Sequence, residues 1–148
     1  MTRMDEPHRG ARATVVNPEE LGAPRGYSNG ILAPAGSRIL FVAGQIGWDR
    51  KQRLVAGGFV AQFERALENV LTVVRAAGGT AESLCRLTVY VIDGTAYTSA
   101  LKEVGEAYRR VLGRHYPAMA FVQVAGLVEP DAVVEVEATA AIPGEDPG

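Results

Sequence analysis

The chain has 148 residues, of which 47% are hydrophobic and 22% charged, so it suits a single domain with one buried core. Its net charge of −2 offers no general attraction to nucleic acid, and its apolar runs are too short to cross a membrane. One cysteine cannot form a disulfide within the chain, which favours the reducing cytoplasm.

We expect a single domain over residues 1–148, with flexible ends at 1–12 and 143–148, which are rich in charged residues, proline and glycine. Residues 39–43 are continuously apolar, which is typical of a strand covered on both faces. Three extended segments are predicted in this first part of the chain, of which the second is the weakest: residues 13–16, 27–32 and 38–45.

Two helices follow from apolar residues that recur at steps of three and four. The first covers residues 60–74 and is stopped by Gly78-Gly79. The second covers residues 97–112 and can be capped by Asp93 or Thr95. Three more strands are predicted, at residues 84–92, 120–125 and 133–141.

This element order, β-β-β-α-β-α-β-β, predicts an α+β fold with two helices on one face of a mixed sheet. The helices leave the other sheet face uncovered. Association with further copies of the chain is the simplest way to bury that face.

Six short motifs stand in a fixed order along residues 27–142. They are Gly44-Gln45-Ile46, Asn69-Val70, Ala76-Ala77-Gly78, the run from Thr88 to Asp93, Tyr116-Pro117-Ala118, and the run from Glu135 to Ala138. Each motif alone is weak, but their common order and spacing resemble the RidA/YjgF family. The resemblance implies a chorismate-mutase-like fold, homotrimers with a ligand cleft between subunits, and hydrolysis of reactive enamines and imines without a metal or organic cofactor.

The resemblance also implies roles for three residues. Glu135 matches the glutamate that positions water, Tyr27 matches a tyrosine that covers the ligand, and Gly44 matches a glycine whose backbone lies close to it. Without the family, the solvated face of an edge strand is the favoured interpretation of Glu135 and Glu137, because residues two apart share a face. Tyr27 is equally consistent with a tyrosine that packs a loop.

Two positions depart from the family pattern. Met119 stands after Pro117-Ala118, where the deaminases carry an arginine, and Ala43 stands where they often carry serine. A guanidinium holds a carboxylate with two parallel hydrogen bonds, which a thioether cannot do. We therefore regard the chain as a divergent member that lacks the active-site arginine. Met119 favours a more apolar ligand or is a core or interface residue.

Other candidates are weaker. Trp48 follows the third strand and either rims the cleft or packs a subunit contact. Three arginines are potential replacements for the missing cation: Arg38, Arg86 and Arg114. Cys85 and His115, together with His8, lack the spacing of a zinc site, so no metal is expected.

The expected function is the hydrolysis of enamine or imine intermediates, which would bind in a small-molecule cleft at the subunit interfaces. One alternative is a family member without deaminase activity that binds or hydrolyses a different, more apolar metabolite. A second alternative is a non-catalytic binding or chaperone-like trimer. The expected partners are a small molecule and other copies of the chain. Nucleic acid is disfavoured by the acidic charge and the lack of a basic, aromatic-rich stripe.

Overall fold

The computed structural model describes residues 12–144, so most of the two ends predicted to be flexible, 1–11 and 145–148, lies outside the described residues. The strands are β1 Thr14–Val16, β2 Gly30–Leu32, β3 Arg38–Ile46, β4 Leu84–Val91, β5 Ala118–Gln123 and β6 Val134–Ile142. The helices are α1 Gly58–Ala76, α2 Gly94–Thr98 and α3 Leu101–Leu112. None of the helices in residues 12–144 is both long and apolar enough to span a membrane.

The main sheet has four strands in the order β3-β6-β4-β5, with β4 and β5 parallel and the other pairs antiparallel. Helices α2 and α3 lie on the crossover between the parallel strands. The predicted α+β class with a mixed sheet is confirmed. Strands β1 and β2 form a separate two-stranded sheet, and of the predicted segment 27–32 only β2 is extended.

The core lies between the helices and one face of the sheet. The predicted apolar stripe of α1, which includes Phe63, Leu67 and Val70, is buried against strand residues such as Val89 and Val136. These side chains are almost completely removed from solvent, and burial of a large apolar side chain contributes roughly 1.5–3 kcal/mol. The periodicity of α1 therefore reflects its packing on the sheet.

The opposite face of the sheet carries large apolar side chains that the single chain leaves exposed. Phe41 is 79% exposed, Ile39 51% and Val122 42%. Strand β3 was expected to be covered on both faces, but within one chain only the face that carries Val42 packs against the core. We call the surface formed by Ile39, Phe41 and Val122 the open face.

The predicted second helix is divided into α2 and α3. Asp93 caps the first piece, as expected, because its carboxylate accepts a hydrogen bond of 2.9 Å from the Thr95 amide. The hydroxyl of Ser99 donates to the Thr95 carbonyl at 2.7 Å, and such bonds compete with the backbone bonds that would continue a helix. The chain leaves helical geometry at Ala100 and resumes it at Leu101.

Strand β5 begins two residues before its predicted start. Parallel pairing with β4 sets this boundary, because Arg86 lies opposite Ala118 and Leu87 opposite Met119. The pairing extends the strand to Ala118, directly after Pro117. Alanine and methionine at 118–120 have little intrinsic preference for strands, so the sequence pattern alone does not show this start.

Helix α1 approaches the loop after β3 so closely that only glycine fits at position 47. A Cβ atom on Gly47 would stand 2.7 Å from the carbonyl oxygen of Gln62. We expect Gly47→Ala to lower the free energy of unfolding by about 1–3 kcal/mol, since the helix backbone must move away. Urea unfolding would measure the change, with Gly126→Ala as a control because its Cβ meets open space. Equal losses for both variants would contradict this account.

Candidate functional site

Glu135 lies on the open side of the sheet, because its neighbours Val134 and Val136 point into the core. The pairing of β3 with β6 shifts register between Val42 and Gln45, which places Gly44 in an irregular segment beside Glu135. A Cβ atom on Gly44 would stand 2.8 Å from Cδ of Glu135. The absence of a side chain at Gly44 therefore makes room for the Glu135 carboxyl group.

Glu137 is on the same side but is differently engaged. The Tyr90 hydroxyl donates a hydrogen bond of 2.6 Å to Glu137 Oε1, and this bond raises the pKa of Tyr90. Glu135 forms no hydrogen bond or ion pair with the rest of residues 12–144. Of the two carboxyl groups, Glu135 is thus the one whose two oxygens are both without a hydrogen-bond donor in residues 12–144, and both can accept from water.

Tyr27 is held beside the start of β5 by its neighbour Ser28. The Ser28 amide donates to the Pro117 carbonyl at 3.0 Å, and its hydroxyl donates to the Tyr116 carbonyl at 2.5 Å. These bonds fix the loop that carries Tyr27 at the edge of the sheet, beside the start of β5, where Ser28 pairs with Ala118. Tyr27 and Met119 consequently line the same cavity.

That cavity has a volume of about 530 Å³ and lies between β5, the helices α2 and α3, and the loop before β2. We call it the aromatic pocket, because most of its large side chains are aromatic. Its principal aromatic and thioether lining residues are Tyr27, Tyr97, Tyr108, Tyr116, Met119 and Phe121. Met119 points to this pocket because its parallel neighbour Leu87 belongs to the helix-facing core.

The aromatic rings are ordered in two stacked pairs. The ring centroids of Tyr97 and Phe121 are 4.3 Å apart with planes at 20°, and those of Tyr108 and Tyr116 are 5.4 Å apart with planes at 8°. Burial raises the pKa of both Tyr97 and Tyr108, so their hydroxyl groups stay protonated at neutral pH. The Tyr108 hydroxyl donates to the His115 carbonyl. The aromatic part of the pocket wall therefore carries no charge, and its polar groups are tyrosine hydroxyls.

Two cations lie at the rim of the aromatic pocket. Arg25 and Arg109 both line it, and neither guanidinium has an ion-pair partner within residues 12–144. None of the three arginines that were considered from the sequence lines the pocket: Arg38, Arg86 and Arg114. In the sequence, Gly105 and Arg109 are four residues apart and therefore share one face of the predicted helix. Nothing in the sequence shows which cavity that helix borders, so Arg109 could not be identified from it as a pocket residue.

The remaining candidates lie outside the pocket. Ala43 is exposed on β3, and its carbonyl accepts a hydrogen bond of 3.0 Å from Gln45. Trp48 lies in the loop after β3, where its carbonyl accepts from Arg65 and Asn69 at 3.1 and 3.0 Å. The cleft roles suggested for Ala43 and Trp48 stay predictions. Among residues 12–144 no three His, Cys, Asp or Glu side chains are grouped so that they could hold a metal ion.

The candidate residues thus form two groups on opposite sides of one sheet. Glu135 and Gly44 lie on the side of the open face, while Tyr27 and Met119 lie in the aromatic pocket. Within one chain the sheet separates the carboxyl group from the pocket. A molecule bound in the pocket cannot contact Glu135 of the same chain through the sheet.

Comparison with known proteins defines the class. The family model described as Endoribonuclease L-PSP matches residues 18–142. The solved Rid family protein YyfB from Yersinia pestis superimposes with a TM-score of 0.78 at 30% identity, covering 88% of this chain and 99% of that one. TdcF from E. coli with bound serine gives a TM-score of 0.60 at 31% identity, covering 81% and 91%. The fold is that of the Rid proteins.

Curated relatives agree with this class. RutC family protein UK114 from Drosophila melanogaster is 34% identical over 115 residues, which are 77% of this chain and 78% of the relative. The human protein named 2-iminobutanoate/2-iminopropanoate deaminase is 30% identical over 130 residues, which are 87% of this chain and 89% of that protein. The chain belongs to the RidA/YjgF family, so the resemblance drawn from the motifs is confirmed.

Proposed function

We propose that this protein hydrolyses enamine or imine intermediates in the cytoplasm, in a cleft formed between subunits of a homotrimer. Glu135 positions and deprotonates the attacking water. The observation that carries the proposal is the Glu135 carboxyl group, which is seated against Gly44 and free of hydrogen-bond partners in the described chain. The activity named for the human relative, a deaminase of two imino acids, supports the same reaction.

The chemistry needs only a carboxyl group and water. The oxygen of water bonds to the imine carbon while one proton passes to Glu135. That proton then moves to the nitrogen, which gives a carbinolamine. The remaining proton of the new hydroxyl group passes to the nitrogen through the same carboxyl group, the carbon–nitrogen bond breaks, and ammonia leaves a carbonyl compound. No metal or organic cofactor enters this sequence of steps.

Assembly of copies through the open face would bring together the two groups of candidate residues that the sheet separates within one chain. The exposed apolar side chains Ile39 and Phe41 lie on the same side of the sheet as Glu135. A second copy on this face would bury them and bring a neighbouring surface to the carboxyl group. We propose that the aromatic pocket of one copy and Glu135 of the next together form each cleft.

Phe41→Glu tests this assembly. We expect the wild-type protein to have the mass of a trimer and the variant to dissociate to monomers, because a charge replaces the most exposed apolar side chain of the open face. Size-exclusion chromatography with light scattering gives both masses. Val128→Glu is the matched control, since Val128 is fully exposed in the loop before β6. A monomeric wild type, or a trimeric Phe41→Glu protein, would overturn the proposal.

The reaction itself is tested by the rate of imine hydrolysis, with imines generated in place from several amino acids by an amino-acid oxidase. Ammonia release faster than the uncatalysed rate for at least one amino acid is the expected result. No acceleration with any of them would remove the hydrolase proposal.

The second candidate function is a family member without deaminase activity that binds or converts a more apolar metabolite. The observation that favours it is Met119, which lines the aromatic pocket and carries no charge. In that case the imines formed from all the amino acids tested are hydrolysed at the uncatalysed rate, while apolar ligands still bind. The two measurements together separate the candidates.

A further inference from the structure

We propose that the aromatic pocket selects an imino or enamine acid with a large, flat apolar side chain, and that Arg109 and Arg25 hold its carboxylate at the rim. The substrate class is therefore that of aromatic α-amino acids and not of the smallest ones. The inference rests on the proposed function, because it concerns the same cleft.

The size and lining of the pocket favour an aromatic side chain. A volume of about 530 Å³ falls within the ~300–1,000 Å³ of sites that enclose whole small molecules, so a small imino acid would leave most of it filled with water. The stacked rings of Tyr97 and Phe121 present a flat apolar wall. The thioether of Met119 also contacts aromatic rings favourably. A phenyl or indole ring fits these surfaces better than a methyl group does.

The charges of the pocket favour an anion. Its lining in the described chain includes Arg25 and Arg109 and contains no aspartate or glutamate. These two guanidinium groups, which have no ion-pair partner within residues 12–144, form a positive rim beside an aromatic interior. A guanidinium binds a carboxylate through parallel charge-assisted hydrogen bonds, so an amphiphilic acid satisfies both parts of the pocket.

Gly105 positions the guanidinium of Arg109. A Cβ atom on Gly105 would stand 3.2 Å from Nη1 and 3.8 Å from Cζ of Arg109. The guanidinium therefore lies along the surface of α3 at a residue that also lines the pocket. The charge of Arg109 therefore lies at the pocket rim, one helical turn from the backbone of Arg109 towards the start of α3. The cation that Met119 cannot supply is in this way provided by the facing helix.

Isothermal titration calorimetry with three stable probes tests the inference. Phenylpyruvate has both the ring and the carboxylate, pyruvate lacks the ring, and 3-phenylpropanol lacks the charge. We expect phenylpyruvate to bind at least about tenfold more tightly than either of the others. Arg109→Gln should weaken phenylpyruvate by about tenfold and leave 3-phenylpropanol unchanged. Arg25→Gln should act in the same direction. Thermal unfolding of each variant verifies that the fold is intact.

Lys102→Gln is the matched control, because it removes one positive charge from an exposed position of the same helix without touching the pocket. It should bind phenylpyruvate as the wild type does. Equal binding of 3-phenylpropanol and phenylpyruvate, or an unchanged affinity in both arginine variants, would overturn the arginine anchor. Equal binding of pyruvate would overturn the aromatic class, and no binding of any probe would overturn both.

These measurements do not depend on catalysis. Phenylpyruvate binding that needs Arg109, in a protein that hydrolyses no imine, would support the pocket assignment and remove the hydrolase. Hydrolysis only of the imines formed from the smallest amino acids, without phenylpyruvate binding, would support the hydrolase and remove the pocket assignment.

Discussion

The Glu135→Gln protein is expected to release ammonia from imines at least about a hundredfold more slowly than the wild type, since positioned general bases contribute roughly 10²–10⁴-fold. Glutamine keeps the shape of the side chain and its place against Gly44, but it cannot take a proton from water. The free energy of unfolding should change little, because Glu135 has no hydrogen-bond partner in the described chain to lose. The initial rate at saturating imine would measure the effect.

Glu137→Gln is the natural control for this variant. Glu137 lies two residues along the same strand and carries the same charge, but it is occupied by the Tyr90 hydroxyl. We expect its activity to stay within about tenfold of the wild type. Glutamine can still accept from the Tyr90 hydroxyl through its amide oxygen, and exchanging a charge-assisted hydrogen bond for a neutral one costs about 1 kcal/mol. Equal losses in the two variants would mean that only the summed charge matters. An unaffected Glu135→Gln protein would take Glu135 out of the reaction.

Replacement of Phe63 by alanine is expected to lower the free energy of unfolding by about 3–5 kcal/mol. Phe63 is 1% exposed, packs between α1 and the sheet, and lies 6.2 Å from Phe121 between ring centroids. Alanine would leave a void there that the surrounding strands cannot collapse to fill. Because Phe63 also lines the aromatic pocket, the pocket should become larger in the same variant.

Phe59→Ala provides the comparison for Phe63. Its ring stacks on Phe63 at 6.3 Å, but Phe59 is only partly buried, one turn nearer the start of α1. We expect a loss of about 1–2 kcal/mol, in proportion to the smaller apolar area that it buries. Urea unfolding at one fixed protein concentration is the measurement, because subunit association makes stability depend on concentration. A loss at Phe59 as large as that at Phe63 would contradict this view of the core.

Much of the fold could be predicted because its local patterns agree with its packing. The stripe of α1 and the apolar strand β4 are both recognisable from their periodicity, and both form the core. The break between α2 and α3 could not be predicted in the same way. It depends on the hydrogen bond from the Ser99 hydroxyl to the Thr95 carbonyl. A serine in the middle of a helix can instead point its hydroxyl to solvent, and the sequence does not distinguish these two cases.

The candidate site was only partly visible in the sequence. The shared face of Glu135 and Glu137 follows from the alternation of a strand. The place of Met119 depends on the pairing of β5 with β4 and on the Ser28 bridge, contacts between segments far apart in the chain. Arg25 and Arg109 reach one pocket for the same reason. Long-range register, which no local pattern encodes, decides which charges meet there.

Strand β5 has a consequence for how such a protein can change. Its alternate residues face opposite ways, so Met119 and Phe121 border the pocket while Ala120 and Val122 point to the other side. A substitution at an odd position can therefore alter the molecule that the pocket selects without disturbing the surroundings of Glu135 in the same chain. In the proposed assembly it affects a carboxyl group only across the subunit contact, through the Glu135 of the next copy. The two sides of β5 can thus change independently within one copy, although they belong to two different clefts.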